Sequence, residues 1–199
     1  MERKIQTMLY ANKDYPQISV DENTALIVID IQEKLIDALE DSDKMITNTN
    51  ALLKAFKIYD MPKLATEQYP KGLGKTIDEI LVNLDKDHIY SKTTFDSITE
   101  EVYDYLEENE IEKVIIVGAE AHVCVFQTVR RLLMEEREVY LVEDAISSFS
   151  NNQKEVAMNL MKGMGAFVLN TEMILFDLAQ DSKSEHFKEI SNIIKEIRK

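Results

Sequence analysis

The chain has 199 residues, 45% of them hydrophobic and 30% charged, with 37 acidic against 23 basic side chains and a formal net charge of −14. That length is expected to give one domain with a sizeable core, and the acidity argues against a nucleic-acid partner, since any basic patch would sit in a repulsive field. No apolar run reaches the roughly 18–20 residues needed to cross a bilayer, and the opening MERKIQTMLYANKDYPQ lacks the apolar core and cleavage site of a signal peptide. The single cysteine, Cys124, cannot close an intramolecular disulfide. These features are the ones expected of a soluble, cytoplasmic protein with no membrane partner.

Residues 1–21 show no clear periodicity and are read as an N-terminal arm, ahead of a single domain over 22–199. The first strand signal is TALIVIDI (24–31), a continuous apolar run ending in a carboxylate. A helical pattern over 33–59 comes next, with apolar positions at Leu35, Ile36, Leu39, Ile46, Leu52, Leu53 and Phe56. Strands are expected at 61–67 and 88–92, then a helix over 98–109 with Ile98, Val102, Tyr105 and Leu106 on one stripe. Its acidic residues are read as a solvated face. The next strand, 112–119, is apolar throughout; a helix over 122–136, a strand at 138–144 and a helix over 151–164 come after it. Gly163 and Gly165 are placed to end that last helix. A strand at 165–170 and a helix over 184–198 complete the set. Strands alternating with helices imply βαβ units, and uniformly apolar central strands imply a sheet covered on both faces. The expected fold is α/β, a three-layer α/β/α sandwich around a six-stranded, mainly parallel, Rossmann-like sheet.

Several familiar sites fail on inspection. KGLGKT (71–76) lacks the glycine a phosphate loop needs at position 69, which is Tyr69, and a dinucleotide fingerprint starting at Gly72 would need glycine where Ile77 stands. His88, His122 and His186 are too far apart for a tethered metal motif. No G-x-S-x-G elbow occurs.

Three residues remain. Ligands in an open α/β sheet gather beyond the carboxyl ends of the strands. Asp30 ends the first strand, Lys92 ends the third and Cys124 comes shortly after the fourth, where the chain turns into a helix. A helix start and a neighbouring cation are expected to lower the thiol pKa. Asp30 can accept the thiol proton, and Lys92 can keep Asp30 ionised. Each residue also has an ordinary reading: a buried inert thiol, a helix cap, an exposed lysine.

At these residues the chain resembles the isochorismatase-like cysteine hydrolase superfamily, and most of all the isochorismatase domain-containing proteins. The resemblance rests on LIVIDIQEKL (26–35), SKTTFDSI (91–98) and VIIVGAEAHVCVFQTVRRLL (114–133). It is supported by TEQYPKGLG (66–74), VYLVEDAISSFS (139–150), GAFVLNTEMILFDL (165–178) and HFKEI (186–190). It covers the chain from about residue 22 onwards. The resemblance implies a catalytic triad of Asp30, Lys92 and Cys124 with Cys124 as nucleophile. It also implies a cis peptide between Ala119 and Glu120, and an oxyanion hole from the backbone N–H groups of Glu120 and Cys124. Gln32, Gln68, Tyr69 and Phe95 lie in or beside the matching motifs and are candidates to line the substrate pocket. The implied activity is hydrolysis of a small amide-like substrate through an acyl-thioester, without cofactor or metal, in a homo-oligomer. Nicotinamidases of the superfamily carry an aspartate–histidine metal site after the second strand, and TEQYPKGLGK has no histidine. Isochorismatases do not use a cysteine for their vinyl ether, so Cys124 favours an acyl carbon. An ether hydrolase and a non-catalytic binding or scaffold protein remain the alternatives.

Overall fold

The structure of the protein, a computed structural model, describes residues 20–199. The N-terminal arm expected over 1–21 lies, except for its last two residues, outside the described residues. Six strands form one sheet: β1 (Thr24–Ile29), β2 (Lys63–Gln68), β3 (Ile89–Lys92), β4 (Lys113–Gly118), β5 (Glu138–Ile146) and β6 (Phe167–Leu169). Their spatial order is β3-β2-β1-β4-β5-β6 and every pairing is parallel. The central strands carry apolar side chains on both faces because both faces are covered. Leu26 and Val28 of β1 pack on one side with Ile115 and Val117 of β4. Ala25, Ile27 and Ile29 pack on the other with Val114 and Ile116.

The first face is covered by α1 (Ser42–Ile58), α7 (Thr171–Ala179) and α8 (Phe187–Ile197), which pack against one another. The second is covered by α4 (Glu100–Glu108), α5 (Phe126–Met134) and α6 (Asn151–Gly163). Two single-turn helices, α2 (Pro70–Leu73) and α3 (Asp78–Leu81), lie between β2 and β3. Among the described residues, no helix is long and apolar enough to cross a membrane. The layers and the sheet are those expected from the sequence.

Two elements differ. The helix expected from residue 33 begins only at Ser42. Residues 32–34 instead lie along the segment after α2: Glu33 N–H donates to Lys75 O, Lys34 N–H to Leu73 O, and Gln32 bridges Thr76. The chain then makes a short 3-10 turn, Ile36–Ala38, and Asp41 takes a left-handed φ of 54°. The apolar spacing of Leu35, Ile36 and Leu39 comes from this loop folding onto the core rather than from a helix. Conversely, α7 went unexpected. Its sequence, TEMILFDLA, buries Ile174, Leu175 and Leu178 but also exposes Met173 and Phe176, so it shows no clean stripe. Its start is set by Asn170, whose side chain accepts from Met173 N–H at 2.9 Å.

In the order 3-2-1-4-5-6, consecutive crossovers leave in opposite directions from β1 and β4, which opens a crevice at their carboxyl ends. The two strands approach unusually closely there. Gly118 has φ +110°, and a Cβ on it would lie 2.0 Å from Ile29 O. Only glycine fits this position. The close approach brings the bend at the end of β1 alongside the turn at the end of β4.

Candidate active site

Asp30 is the first residue past β1, with φ 52°, a left-handed conformation that aspartate tolerates better than most residues. Its backbone N–H donates to Thr66 O on β2. The bend directs the carboxylate into the crevice, where it is fully buried. Lys92 ends β3, two strands away, and reaches across β2 to place Nζ 2.7 Å from Asp30 Oδ2. Neither side chain has any exposed surface. Lys92 Nζ also donates to Gln68 Oε1 at 2.8 Å and, at the long limit of 3.4 Å, to Thr94 O. Burying two charges is costly unless they are paired and hydrogen-bonded, and both conditions hold here.

Cys124 lies in the π-helical turn Ala121–Val125 that leads from β4 into α5, and it is 6% exposed. Its thiol faces both charges: the negative Asp30 raises its pKa and Lys92 lowers it. The sequence expectation of a lowered pKa is corrected here. Burial is the largest influence, the carboxylate adds to it, and together they outweigh the lysine and push the thiol up to about 12. The resting site therefore holds a neutral thiol beside a carboxylate–ammonium pair.

The Ala119–Glu120 peptide that enters this turn is cis. Ala121 N–H donates to Ser147 O, while those of Val123 and Val125 both donate to Glu120 O. Glu120 caps the start of this turn and Cys124 lies within it. The Glu120 carboxylate accepts from Phe149 N–H at 3.1 Å, tying the turn to the β5–α6 loop. His122, two residues before the cysteine, is held by a 2.7 Å contact between Nδ1 and Ser148 Oγ.

The other candidates divide in two. Gln32 is fully buried: its Nε2 donates to Gln68 O and Gly74 O, and its Oε1 accepts from Gln68 N–H. With every amide position engaged it clamps the end of β2 and does not face open space. Gln68 donates to Thr93 O and accepts from Lys92, so it holds the lysine. Tyr69 and Phe95 are more than half exposed, on the loops after β2 and β3. Three hydroxyls carry no signal in the sequence yet belong to the site. Thr66 Oγ1 donates to Asp30 Oδ1 at 2.8 Å, Ser97 Oγ lies 3.3 Å from Thr66 Oγ1, and Thr128 Oγ1 donates to Cys124 O at 2.7 Å. A cleft of about 520 Å³ bounded by Tyr59, Met61, Leu178 and His186 lies instead near the amino ends of β1 and β2, away from these groups. Among the described residues no cluster of three His, Cys, Asp or Glu side chains could hold a metal ion.

Fold and site together define a doubly wound α/β protein with a cysteine, a lysine and an aspartate gathered at its topological switch point. Comparison with known proteins gives the family. The isochorismatase domain matches residues 24–173, and the chain belongs to the isochorismatase family of hydrolases. It is 36% identical over 172 residues to isochorismatase domain-containing protein 2 of Danio rerio, covering 86% of each chain. A solved structure titled MAR1 ribonuclease from Caenorhabditis elegans is 35% identical, with a TM-score of 0.85 over 89% of this chain and 92% of that one. The YcaC gene product of Escherichia coli, described as an octameric hydrolase of unknown specificity, shares the fold at 20% identity, with a TM-score of 0.81 over 91% of this chain and 97% of that one.

Proposed function

We propose that the protein is a cysteine-dependent hydrolase of a small amide-like (C–N) substrate, working through an acyl-thioester at Cys124. The observation that carries this reading is the Cys124 thiol set against a fully buried Asp30–Lys92 pair. A thiol with a pKa near 12 is a poor nucleophile until its proton leaves, so attack and proton transfer belong to one step. Sγ bonds to the carbonyl carbon, the thiol proton passes to Asp30, and the carbonyl π pair moves onto oxygen. Lys92 stays beside the carboxylate and balances the negative charge. The oxyanion is received by the N–H groups of Glu120 and Cys124, at the start of and within the turn that the cis peptide enters. Collapse expels the amine, which takes the proton from Asp30. Water then attacks the thioester, giving its proton to Asp30, and the departing sulfur recovers that proton. Every step is balanced by Asp30 alone as acid and base.

In this reading Tyr69 and Phe95, exposed on neighbouring loops, border the substrate, while Gln68 holds the lysine and Gln32 holds the backbone of Gln68. The assembly expected is a homo-oligomer, in keeping with the octamer of the YcaC gene product.

The test is a panel of small primary and secondary amides assayed for amine release by wild type, Cys124→Ala and Asp30→Asn, with isochorismate and single-stranded RNA as further arms. Turnover of an amide that both substitutions abolish is expected. Turnover of isochorismate retained by Cys124→Ala would mean an ether hydrolase, cleavage of RNA alone would move the protein to the activity named for the nematode relative, and no turnover of any arm would favour a binding protein.

A further inference from the structure

Three buried residues connect the base to the nucleophile's main chain. Thr66, Ser97 and Thr128 are each fully buried, as is Asp30. A hydroxyl has one proton and a carboxylate ion has none, so the direction of every bond can be worked out. Thr66 Oγ1 gives its proton to Asp30 Oδ1 at 2.8 Å. The 3.3 Å contact between Thr66 Oγ1 and Ser97 Oγ must then run from Ser97 to Thr66. Thr128 Oγ1 gives its proton to Cys124 O at 2.7 Å and accepts from Ser97 N–H at 3.0 Å. Ser97, on the loop after β3, is therefore the node of two directed branches. Its hydroxyl orients Thr66, which holds the base, and its N–H orients Thr128, which holds the carbonyl of the nucleophile.

We propose that Thr66, oriented by Ser97, is a positioning residue for proton transfer from Cys124 to Asp30. Lys92 occupies Oδ2 and Thr66 occupies Oδ1, so the plane of the carboxylate is fixed from both sides. The thiol interacts with this same carboxylate. A hydroxyl donated to the ionised carboxylate also keeps the base ready before attack. Ser97, by joining both branches, sets the distance between base and nucleophile, because neither can shift without breaking a buried bond.

This inference rests on Asp30 serving as the base, and the experiment separates the two claims. The rate of Cys124 alkylation by iodoacetamide is followed from pH 5 to 9 on the full chain, alongside melting temperatures, for wild type, Thr66→Val, Thr66→Ser, Ser97→Ala and Asp30→Asn. Thr66→Val keeps the shape and removes the donor. It is expected to slow alkylation at neutral pH by about 10-fold, the scale of one hydrogen bond to a charged group. Thr66→Ser restores the donor and is expected to return the rate to within about threefold of wild type, the tolerance for a small change of geometry. Ser97→Ala leaves Thr66 in place without its orienting partner and is expected to give a smaller effect in the same direction, which keeps the test decisive if Thr66→Val does not fold. A slower rate with no rescue by serine would reduce Thr66 to a structural residue and overturn the inference. The same conclusion holds if Asp30→Asn slows alkylation while Thr66→Val does not. If Asp30→Asn leaves the rate at the wild-type value, the base assignment fails and this inference fails with it.

Discussion

Lys92→Met tests whether the ion pair is as buried as its geometry says. Methionine keeps the unbranched stem and removes the ammonium, so the packing changes little and the electrostatics change greatly. The wild-type contact is 2.7 Å between two side chains with no exposed surface, and Gln68 Oε1 accepts a second bond from the lysine at 2.8 Å. Removing one partner of a buried pair costs about 3–5 kcal/mol, because the other charge is left uncompensated. Against a total stability of roughly 5–15 kcal/mol for a domain, that is a large share. At about 2–4 °C per kcal/mol for a chain of this size, the midpoint should fall by roughly 6–20 °C. The diagnostic variant is the double substitution Lys92→Met with Asp30→Asn. Asparagine tolerates the left-handed backbone that Asp30 adopts and carries no charge, so the double variant should recover more than half of the loss. Thermal unfolding by circular dichroism at neutral pH reads both. A single variant within about 1 kcal/mol of wild type, the behaviour of a solvated pair, or a double variant no better than the single, would refute the reasoning.

Packing and linkage give two further expected outcomes. Gly118→Ala should fail to give a native-like melt, because the new methyl would lie 2.0 Å from Ile29 O at φ +110°; Gly163→Ala, with nothing within 4 Å of its added methyl, should melt within a few degrees of wild type. Equal behaviour of the two would contradict the close approach of β1 and β4. Burial raises the Cys124 thiol from 9.0 to about 12, so the folded state holds that proton more tightly than the unfolded chain does. Its contribution is complete below about pH 9 and is lost as pH rises towards 12, with a slope up to about 1.4 kcal/mol per pH unit. Urea unfolding should therefore show wild type losing stability relative to Cys124→Ala across pH 9 to 10.5. Parallel pH curves for the two would place the thiol in solvent.

How much of this was legible in the sequence depends on what each residue does. The central strands announce themselves because LIVI and VIIV are covered on both faces, and continuous burial leaves continuous apolar runs. The turn over 31–41 is deceptive because Leu35, Ile36 and Leu39 keep near-helical spacing while the backbone pairs with residues 73–75. Helix α7 is hidden for the opposite reason, since an apolar residue on every side erases the stripe that marks a helix. Within the site, the strand ends bring Asp30, Lys92 and Cys124 over one edge of the sheet, but each keeps an ordinary reading there, and the triad comes from the family resemblance. The state of the thiol could not be read, because its sign depends on burial that spacing does not reveal. Thr66, Ser97 and Thr128 are ordinary residues for a strand, a loop and a helix, and only the folded geometry joins them to the chemistry.

The most direct test of the central claim is a search for the acyl-enzyme itself. p-Nitrophenyl acetate supplies a small activated acyl group, and rapid mixing with the full chain should release a burst of nitrophenolate close to one equivalent per chain. Mass analysis of the quenched protein should then find acetyl on the peptide bearing Cys124, with both signals absent from Cys124→Ala. A burst that survives that substitution, or acetyl on another residue while Cys124 stays unmodified, would contradict the account.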